Sequence, residues 1–383
     1  MDFELSDEEA AIQQAARDFA TKVLTPLAAK VDRDHKISRD TLQQMADLGF
    51  MGIITPEEYG GAGFSNFLLA LIQVEINRGC AATGVTMSVH NSLCQGPINK
   101  FGTPEQKKKY LPRLTTAEWI GAYSLSEPGS GSDAGALICT AKRDGKHFIM
   151  NGEKNFITNG GFADLYVVFA RTHPDKTLKT KGISAILVER ETKGLRVGKD
   201  EHKMGIRGSS TTTLAFDDAR VPVENLLGAE GDGFKIALAT LDGGRIGIAC
   251  QALGIAEAAL AAAVKYATER RQFDRPIADF QAIQWKLANM ATDIDAARLL
   301  IYRAAKLRDA GLPHTKEASM AKLFASTMCN DHVNQALQVH GGNGYIRDFP
   351  IERLWRDAKI TEIYEGTSEV QRIVIARNVV TGK

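Results

Sequence analysis

The sequence predicts a mainly α-helical protein with a small β-domain at its centre. Apolar residues recur at helical spacing up to about residue 118, short strand-like runs with turn signals fill about 119–229, and long apolar, Ala-rich segments occupy the rest. At 383 residues the chain is long enough for two or three compact domains. Their expected limits are 1–118, 119–229 and 230–383.

In the first zone, Ser6 followed by Glu9 has the pattern of a capping box. Ile12, Ala16, Phe19 and Val23 then repeat along one helix face. A second helix fits Ser38 to Leu48, with Gly49 placed to end it, and Gly60, Gly61 and Gly63 mark a loop. In the middle zone, strand-like runs cover His147 to Met150, Leu165 to Ala170, Ile183 to Val188 and Thr211 to Phe216. Asn151-Gly152 lies between two such runs and predicts a hairpin turn, so the domain should be mainly antiparallel. In the last zone, segments 234–267, 278–309 and 315–339 are each long enough for a bundle helix. Gly341, Gly342 and Gly344 break the chain, and two shorter helices fit what remains.

Composition excludes several functions. Lys and Arg number 47 against 46 Asp and Glu, so there is no basic excess for a nucleic acid or an anionic membrane. Lys107-Lys108-Lys109 reads as a solvated helix face before Pro112. Ile246 to Val264 is apolar, but it carries Gln251 and Glu257 and is rich in Ala and Gly, which suits a buried bundle helix rather than a membrane span. The five cysteines have no metal-ligand or redox spacing, and the histidines form no paired-ligand motif, so no metal is expected. The acidic start MDFELSDEEA has neither an apolar signal core nor an Arg-rich transit pattern. Free thiols in the cytoplasm are therefore expected, with a processed mitochondrial matrix protein as the alternative.

Helices, then strands, then helices is not the alternation of a doubly wound nucleotide fold. A P-loop and a GxGxxG fingerprint are both absent, since Gly129, Gly131 and Gly135 have the wrong spacing. Two segments could carry chemistry. Tyr123 to Asp133, with its serines and glycines around Pro128, offers donors and close backbone access to a polar ring edge or a phosphate. On its own it reads first as an ordinary Gly/Ser loop. Ile363-Tyr364-Glu365-Gly366-Thr367-Ser368-Glu369 sets a carboxylate beside a glycine at a break between helices. Thr367 or Ser368 could cap the next helix, whose N-terminus favours a phosphate. A lone Glu in a loop is usually solvated.

These two motifs lie in order with Leu241-Asp-Gly-Gly-Arg245, with Arg270, Phe273 and Gln281, and with Gln338-Val-His-Gly-Gly342. Together they resemble the acyl-CoA dehydrogenase family across nearly the whole chain. Met87 to Leu93, followed by Gly96-Pro97-Ile98, is most similar to its short-chain, butyryl-CoA branch. The resemblance implies an N-terminal helical domain, a middle β-barrel-like domain and a C-terminal four-helix bundle. It also implies FAD as cofactor, an acyl-CoA substrate, electron-transfer flavoprotein as electron acceptor, and a homotetramer.

Residue by residue, the resemblance implies that Tyr123, Leu125, Ser126, Gly131 and Ser132 line the flavin, with Ser132 also meeting the substrate. Phe156, Ile157 and Thr158 would pack against the ring; many relatives carry Trp where this chain has Phe156. Arg270, Phe273 and Gln281 would hold the pyrophosphate and adenine of a neighbouring subunit's FAD, completed by Gln338, Val339, Gly341, Gly342, Thr367, Ser368 and Glu369. Asp242, Arg245, Tyr364 and Gly366 would meet the substrate. Glu365 matches the family's catalytic base. A second subgroup, resembling isovaleryl-CoA dehydrogenase, carries its Glu just before the Arg matched by Arg245, where this chain has Gly244. A short branched acyl-CoA is the alternative substrate, and an acyl-CoA oxidase is the rival within the class.

Overall fold

The structure, a computed structural model, describes residues 4–382. Seven helices come first: α1 (Asp7–Phe19), α2 (Thr25–Asp34), α3 (Arg39–Asp47), α4 (Asn66–Gly79), α5 (Ala81–Ser88), α6 (Gly96–Phe101) and α7 (Pro104–Thr115). The Ser6/Glu9 capping box forms as read, with both reciprocal bonds present. Ser38 caps α3, and Gly49 follows it at φ 77°. Two wider π-turn stretches, Ala20–Leu24 and Val89–Gln95, were not legible. The Lys107–Lys109 run sits on α7, which continues through Pro112, and Lys109 pairs with Glu189 at 2.7 Å.

Strands β1 (Gly121–Ser124), β2 (Thr140–Asp144), β3 (His147–Thr158), β4 (Leu165–Arg171), β5 (Ile183–Glu189), β6 (Leu195–Val197), β7 (Thr211–Pro222) and β8 (Leu226–Leu227) form one sheet. Its order is β6-β7-β3-β2-β4-β5-β8, with β1 joined to β4. Pairing is antiparallel except for β1 and β2 against β4. Alternation along β4 and β5 feeds two cores. Val167, Phe169 and Leu187 pack towards α7 and the next helix, whereas Tyr166, Val168 and Val188 share an interior with Phe148 and Leu214 of β3 and β7. The sheet therefore curls round its own core.

One sequence expectation fails here. Asn151-Gly152 makes no hairpin; β3 runs straight through it. The turn lies at Gly145-Lys146, between the paired residues Asp144 and His147, with Gly145 at φ 57°. Asn151 instead bonds Asp218 across the β3/β7 pair, at 2.9 Å in both directions. The register slips between Met150 and Gly152, a β-bulge. A Cβ at Gly152 would fall 2.8 Å from the Cys139 Cα, so the glycine serves a bulge pressed against β2.

The last zone holds α8 (Gly233–Glu269), a hairpin of β9 (Arg271–Gln272) and β10 (Arg275–Pro276), α9 (Gln281–Asp309), α10 (Thr315–His340), α11 (Ile351–Ala358) and α12 (Ser368–Thr381). Helices α8, α9 and α10 pack on one another, α12 packs on α10, and α4 joins them along α8. By length and composition α8 could cross a membrane, but residues 243–256 form an unbroken buried stretch inside the bundle. All five cysteines are buried free thiols.

Candidate active site

Glu365 closes the short link between α11 and α12. It has φ 51° and Gly366 has φ 94°, two consecutive left-handed residues. Left-handed backbone costs a non-glycine residue about 1–2 kcal/mol, so its surroundings must hold it there. Lys322 Nζ and Gln371 Nε2 both donate to the Gly366 carbonyl, at 2.8 and 2.9 Å. Thr367 caps α12, and the Tyr364 hydroxyl donates to Gln251 Oε1 on α8. The link is thus tied to α8, α10 and α12.

The Glu365 side chain is not the solvated loop carboxylate that a lone Glu suggests. Its Oε2 is enclosed and accepts no hydrogen bond. Burial pushes the carboxyl up to about 7, although Lys322 and Arg245 pull the other way. Lys322 is wholly buried, and burial brings its ammonium down to about 8. Arg245 pairs with Asp242 at 2.7 Å, and Asp242 also accepts from Thr315 Oγ1 at 2.7 Å. On α8 the carboxylate faces Gly244, which Leu93 also approaches.

The loop after β1 is pinned from beneath. Asn155 N donates to Ser126 O at 2.9 Å, and Lys154 Nζ donates to Leu125 O at 3.1 Å. Lys154 also pairs with Glu127 at 2.8 Å, both side chains being buried. Glu127 accepts in addition from the Ile138 and Cys139 N–H groups at 2.7 and 3.0 Å. Above this base the loop is open. Ser132 is exposed, and nothing lies within 4 Å of where a Gly131 Cβ would sit. Ser130 is used by the loop itself, through Asp133 O at 2.7 Å, while the buried Ser124 Oγ has no partner. Phe156 stands beside the loop, 67% exposed at φ 57°. Thr158 is half-buried. Ile157 departs from expectation: its side chain fills the interior core of the sheet, so only its backbone can face a ligand. Leu125 and Val339 are likewise core side chains. Tyr123 joins the two regions, because the Glu365 charge adds to burial in raising its phenol.

Thr367, Ser368 and Glu369 follow Glu365 directly at the start of α12, whereas the other residues gather at the far end of the bundle. Phe273 tips the β9–β10 hairpin, 87% exposed at φ 51°, between the exposed Arg270 and Gln281. Tyr266 near the end of α8 stacks on His340 near the end of α10 at 4.5 Å, placing Gln338, Gly341 and Gly342 at that same end. The 16 residues from Lys322 to Gln338 along α10 span about 24 Å. One chain therefore does not gather all the candidate residues round Glu365. A cavity of about 740 Å³ lies elsewhere, between α1 and α9; it is lined by Lys306 and Arg298, which pair with Glu9 and Glu257. We assign it no role. No cluster of three or more potential metal ligands occurs among the described residues.

Family models described as the N-terminal, middle and C-terminal domains of acyl-CoA dehydrogenase match residues 6–118, 122–219 and 231–380. The chain belongs to the acyl-CoA dehydrogenase family. It is 50% identical over 376 residues to a short-chain specific acyl-CoA dehydrogenase of Clostridium acetobutylicum, covering 98% of this chain and 99% of the relative. The solved butyryl-CoA dehydrogenase of Megasphaera elsdenii has a TM-score of 0.96 and 44% identity, covering 99% of this chain and all of that one. A chain from structural work on the electron transferring flavoprotein of Acidaminococcus fermentans has a TM-score of 0.97 and 50% identity, again covering 99% and 100%.

Sequence reading of this family member missed Lys322, Gln371 and the Glu127–Lys154 pair. A signal for Lys322 existed. It occupies the face of α10 that carries Ala318, Ala325 and Cys329, all fully buried, where a solvated lysine has no place.

Proposed function

We propose that the protein is an FAD-dependent dehydrogenase that converts a short-chain acyl-CoA to the trans-2-enoyl-CoA and delivers the electrons to an electron-transferring flavoprotein. The observation that carries this is Glu365, an enclosed carboxylate with an unpartnered Oε2 and a proton affinity near neutrality. A base poised near the working pH suits removal of the weakly acidic proton beside a thioester. The named relatives support the substrate class and the electron acceptor.

The residues fit a flavin. Exposed Phe156 offers an aromatic wall, the Gly131 loop leaves open space, and the buried Ser124 hydroxyl lacks a partner. Tyr123, Leu125, Ser126, Gly131, Ser132, Phe156, Ile157 and Thr158 would hold the ring, with Leu125 and Ile157 contributing backbone. When bound, FAD supplies the two-electron oxidation that takes the β-hydrogen. Glu365 Oε2 takes the α-proton. The Glu365 N–H makes no hydrogen bond among the described residues, so it is free to donate to the thioester oxygen as charge develops there. Arg245, fixed by Asp242, Tyr364 and Gly366 shape the wall around the substrate.

Arg270, Phe273 and Gln281, with Gln338, Val339, Gly341, Gly342, Thr367, Ser368 and Glu369, are proposed to complete the cradle in a homotetramer. The distance along α10 between Lys322 and Gln338 and the exposed Phe273 favour sharing between copies. The domain limits 1–118, 119–229 and 230–383 belong to the same reading, supported by strands that lie between Gly121 and Leu227. A soluble cytoplasmic enzyme is the setting that the bacterial relative supports. The test is anaerobic mixing with a panel of straight and branched acyl-CoAs while flavin absorbance is followed. Rapid bleaching by butyryl-CoA is expected. Failure of every acyl-CoA to bleach bound flavin would overturn the reading.

A further inference from the structure

Lys322 is fully buried near the middle of α10, on a face it shares with Ala318, Ala325 and Cys329 and with the small buried hydroxyls of Ser319 and Ser326. Its ammonium makes no ion pair among the described residues, and its one hydrogen bond runs to the Gly366 carbonyl at 2.8 Å. A buried ammonium without a touching carboxylate costs several kcal/mol of desolvation, which Met or Leu at this position would avoid. The hydrogen bond alone does not explain the residue. Gln371 Nε2 already donates to the same carbonyl at 2.9 Å without a charge. What Lys322 adds is a positive charge beside the Glu365–Gly366 turn. On that turn stands the opposite anomaly, a buried carboxylate oxygen with no donor. A donor on Oε2 would occupy the lone pair that has to take a proton, whereas a charge held just out of contact stabilises the carboxylate and leaves that oxygen free.

We propose that Lys322 is a positioning residue for the base: it anchors the left-handed Glu365–Gly366 turn, and its charge keeps Glu365 ionised inside the closed site without touching the oxygen that accepts the proton. This rests on the reading of Glu365 as the base. The charges that act on Glu365 are Lys322 on α10 and Arg245 on α8, and the carboxylate in turn raises the phenols that face it, Tyr123 on β1 and the adjacent Tyr364. Lys322 in turn feels Glu362 and Glu369. Of the two cations, Arg245 has its own carboxylate in Asp242 at 2.7 Å, so Lys322 is the one whose charge is not already matched.

The experiment compares Lys322→Met, Lys322→Gln and Lys322→Arg in the flavin-loaded protein. The Glu365 carboxylate is titrated by infrared difference spectroscopy, its band assigned by subtraction of Glu365→Gln. In parallel, the pH dependence of flavin bleaching by butyryl-CoA is recorded. Removing the charge should move the Glu365 titration up by about one pH unit in the Met and Gln variants, and Arg should restore the parent value. Bleaching by the Met variant should then be roughly fivefold slower near pH 7 and close to parent near pH 9, a pattern that a merely loosened turn would not produce. An unshifted titration in a flavin-bound Met or Gln variant would overturn the proposal. So would failure of both neutral variants to fold while Arg folds, since that assigns Lys322 to structure alone. The infrared titration needs no substrate. A parent protein inert towards butyryl-CoA would therefore defeat the functional reading and leave the Lys322–Glu365 coupling to be judged separately.

Discussion

The Glu365 carboxylate lies against Gly244: a Cβ at residue 244 would stand 2.1 Å from Oε2. The proposed base and α8 thus contest one small volume, and a side chain at 244 excludes the present carboxylate. This gives physical meaning to the subgroup resemblance, in which a Glu at this α8 position accompanies a different arrangement. Both segments reach the same point in space.

Gly244→Ala should therefore displace the base while leaving the flavin loop intact. Bleaching by butyryl-CoA should slow by at least about 10²-fold, the lower range for loss of a general base. Rapid mixing with the flavin-loaded variant measures this, and a rate near parent would show that the carboxylate has room to move.

Glu365→Gln should abolish turnover yet stabilise the protein above neutrality. The folded carboxyl titrates near 7 against an ordinary 4.5, so the folded state binds this proton more tightly than the unfolded chain. Below pH 4.5 both states carry the proton and nothing is lost; between there and pH 7 ionisation becomes a penalty, complete above pH 7. Its ceiling is about 3 kcal/mol. Denaturant midpoints should favour the Gln variant at pH 8 and coincide with parent at pH 4.

Acyl-chain length should be limited by Gln251. It lies two turns beyond Gly244 on the same face of α8, about 10 Å along the axis. It is held there by Tyr364 and by its own bond to Ala81 O at 3.3 Å. Butyryl-CoA should bleach the flavin faster than palmitoyl-CoA. Gln251→Ala should shift the optimum towards longer chains, read from kcat/KM across an even-numbered series.

Arg270→Ala should lower flavin occupancy if, as proposed, its guanidinium makes a charge-assisted contact to the pyrophosphate. Phe273→Asp should weaken the proposed assembly, in which this ring, 87% exposed in the single chain, would be covered by a second copy. Sedimentation and the flavin-to-chain ratio report the two effects. A parent monomer with full flavin would refute both.

How far the sequence reveals the molecule varies with the range of the forces involved. Local rules suffice for the Ser6 cap, the Gly49 stop and the three long bundle helices, whose limits lie within a few residues of their expected positions. Asn151-Gly152 misleads because its role is set by Asp218 and Cys139, distant in sequence, rather than by its own turn preference. Glu365 stands out weakly by itself, as a carboxylate beside Gly366 at a helix break, and firmly only through the family motif. Its enclosure depends on α8 and α10, which no local pattern near residue 365 encodes. Lys322 shows as a polar residue on an apolar face, but its meaning appears only once Gly366 is beside it.

The close approach of α4 and α8 also governs time. A Cβ at Gly254 would fall 2.5 Å from Val74 O and 2.8 Å from Arg78 N, so these helices meet almost backbone to backbone. Amide protons along residues 243–256 can then reach solvent only when the bundle opens as a whole, and in deuterated water they should be among the last to exchange. The neighbouring turn at Glu365, held by a handful of side-chain bonds, should exchange far sooner. The wall of the site keeps a slow clock and its base a fast one.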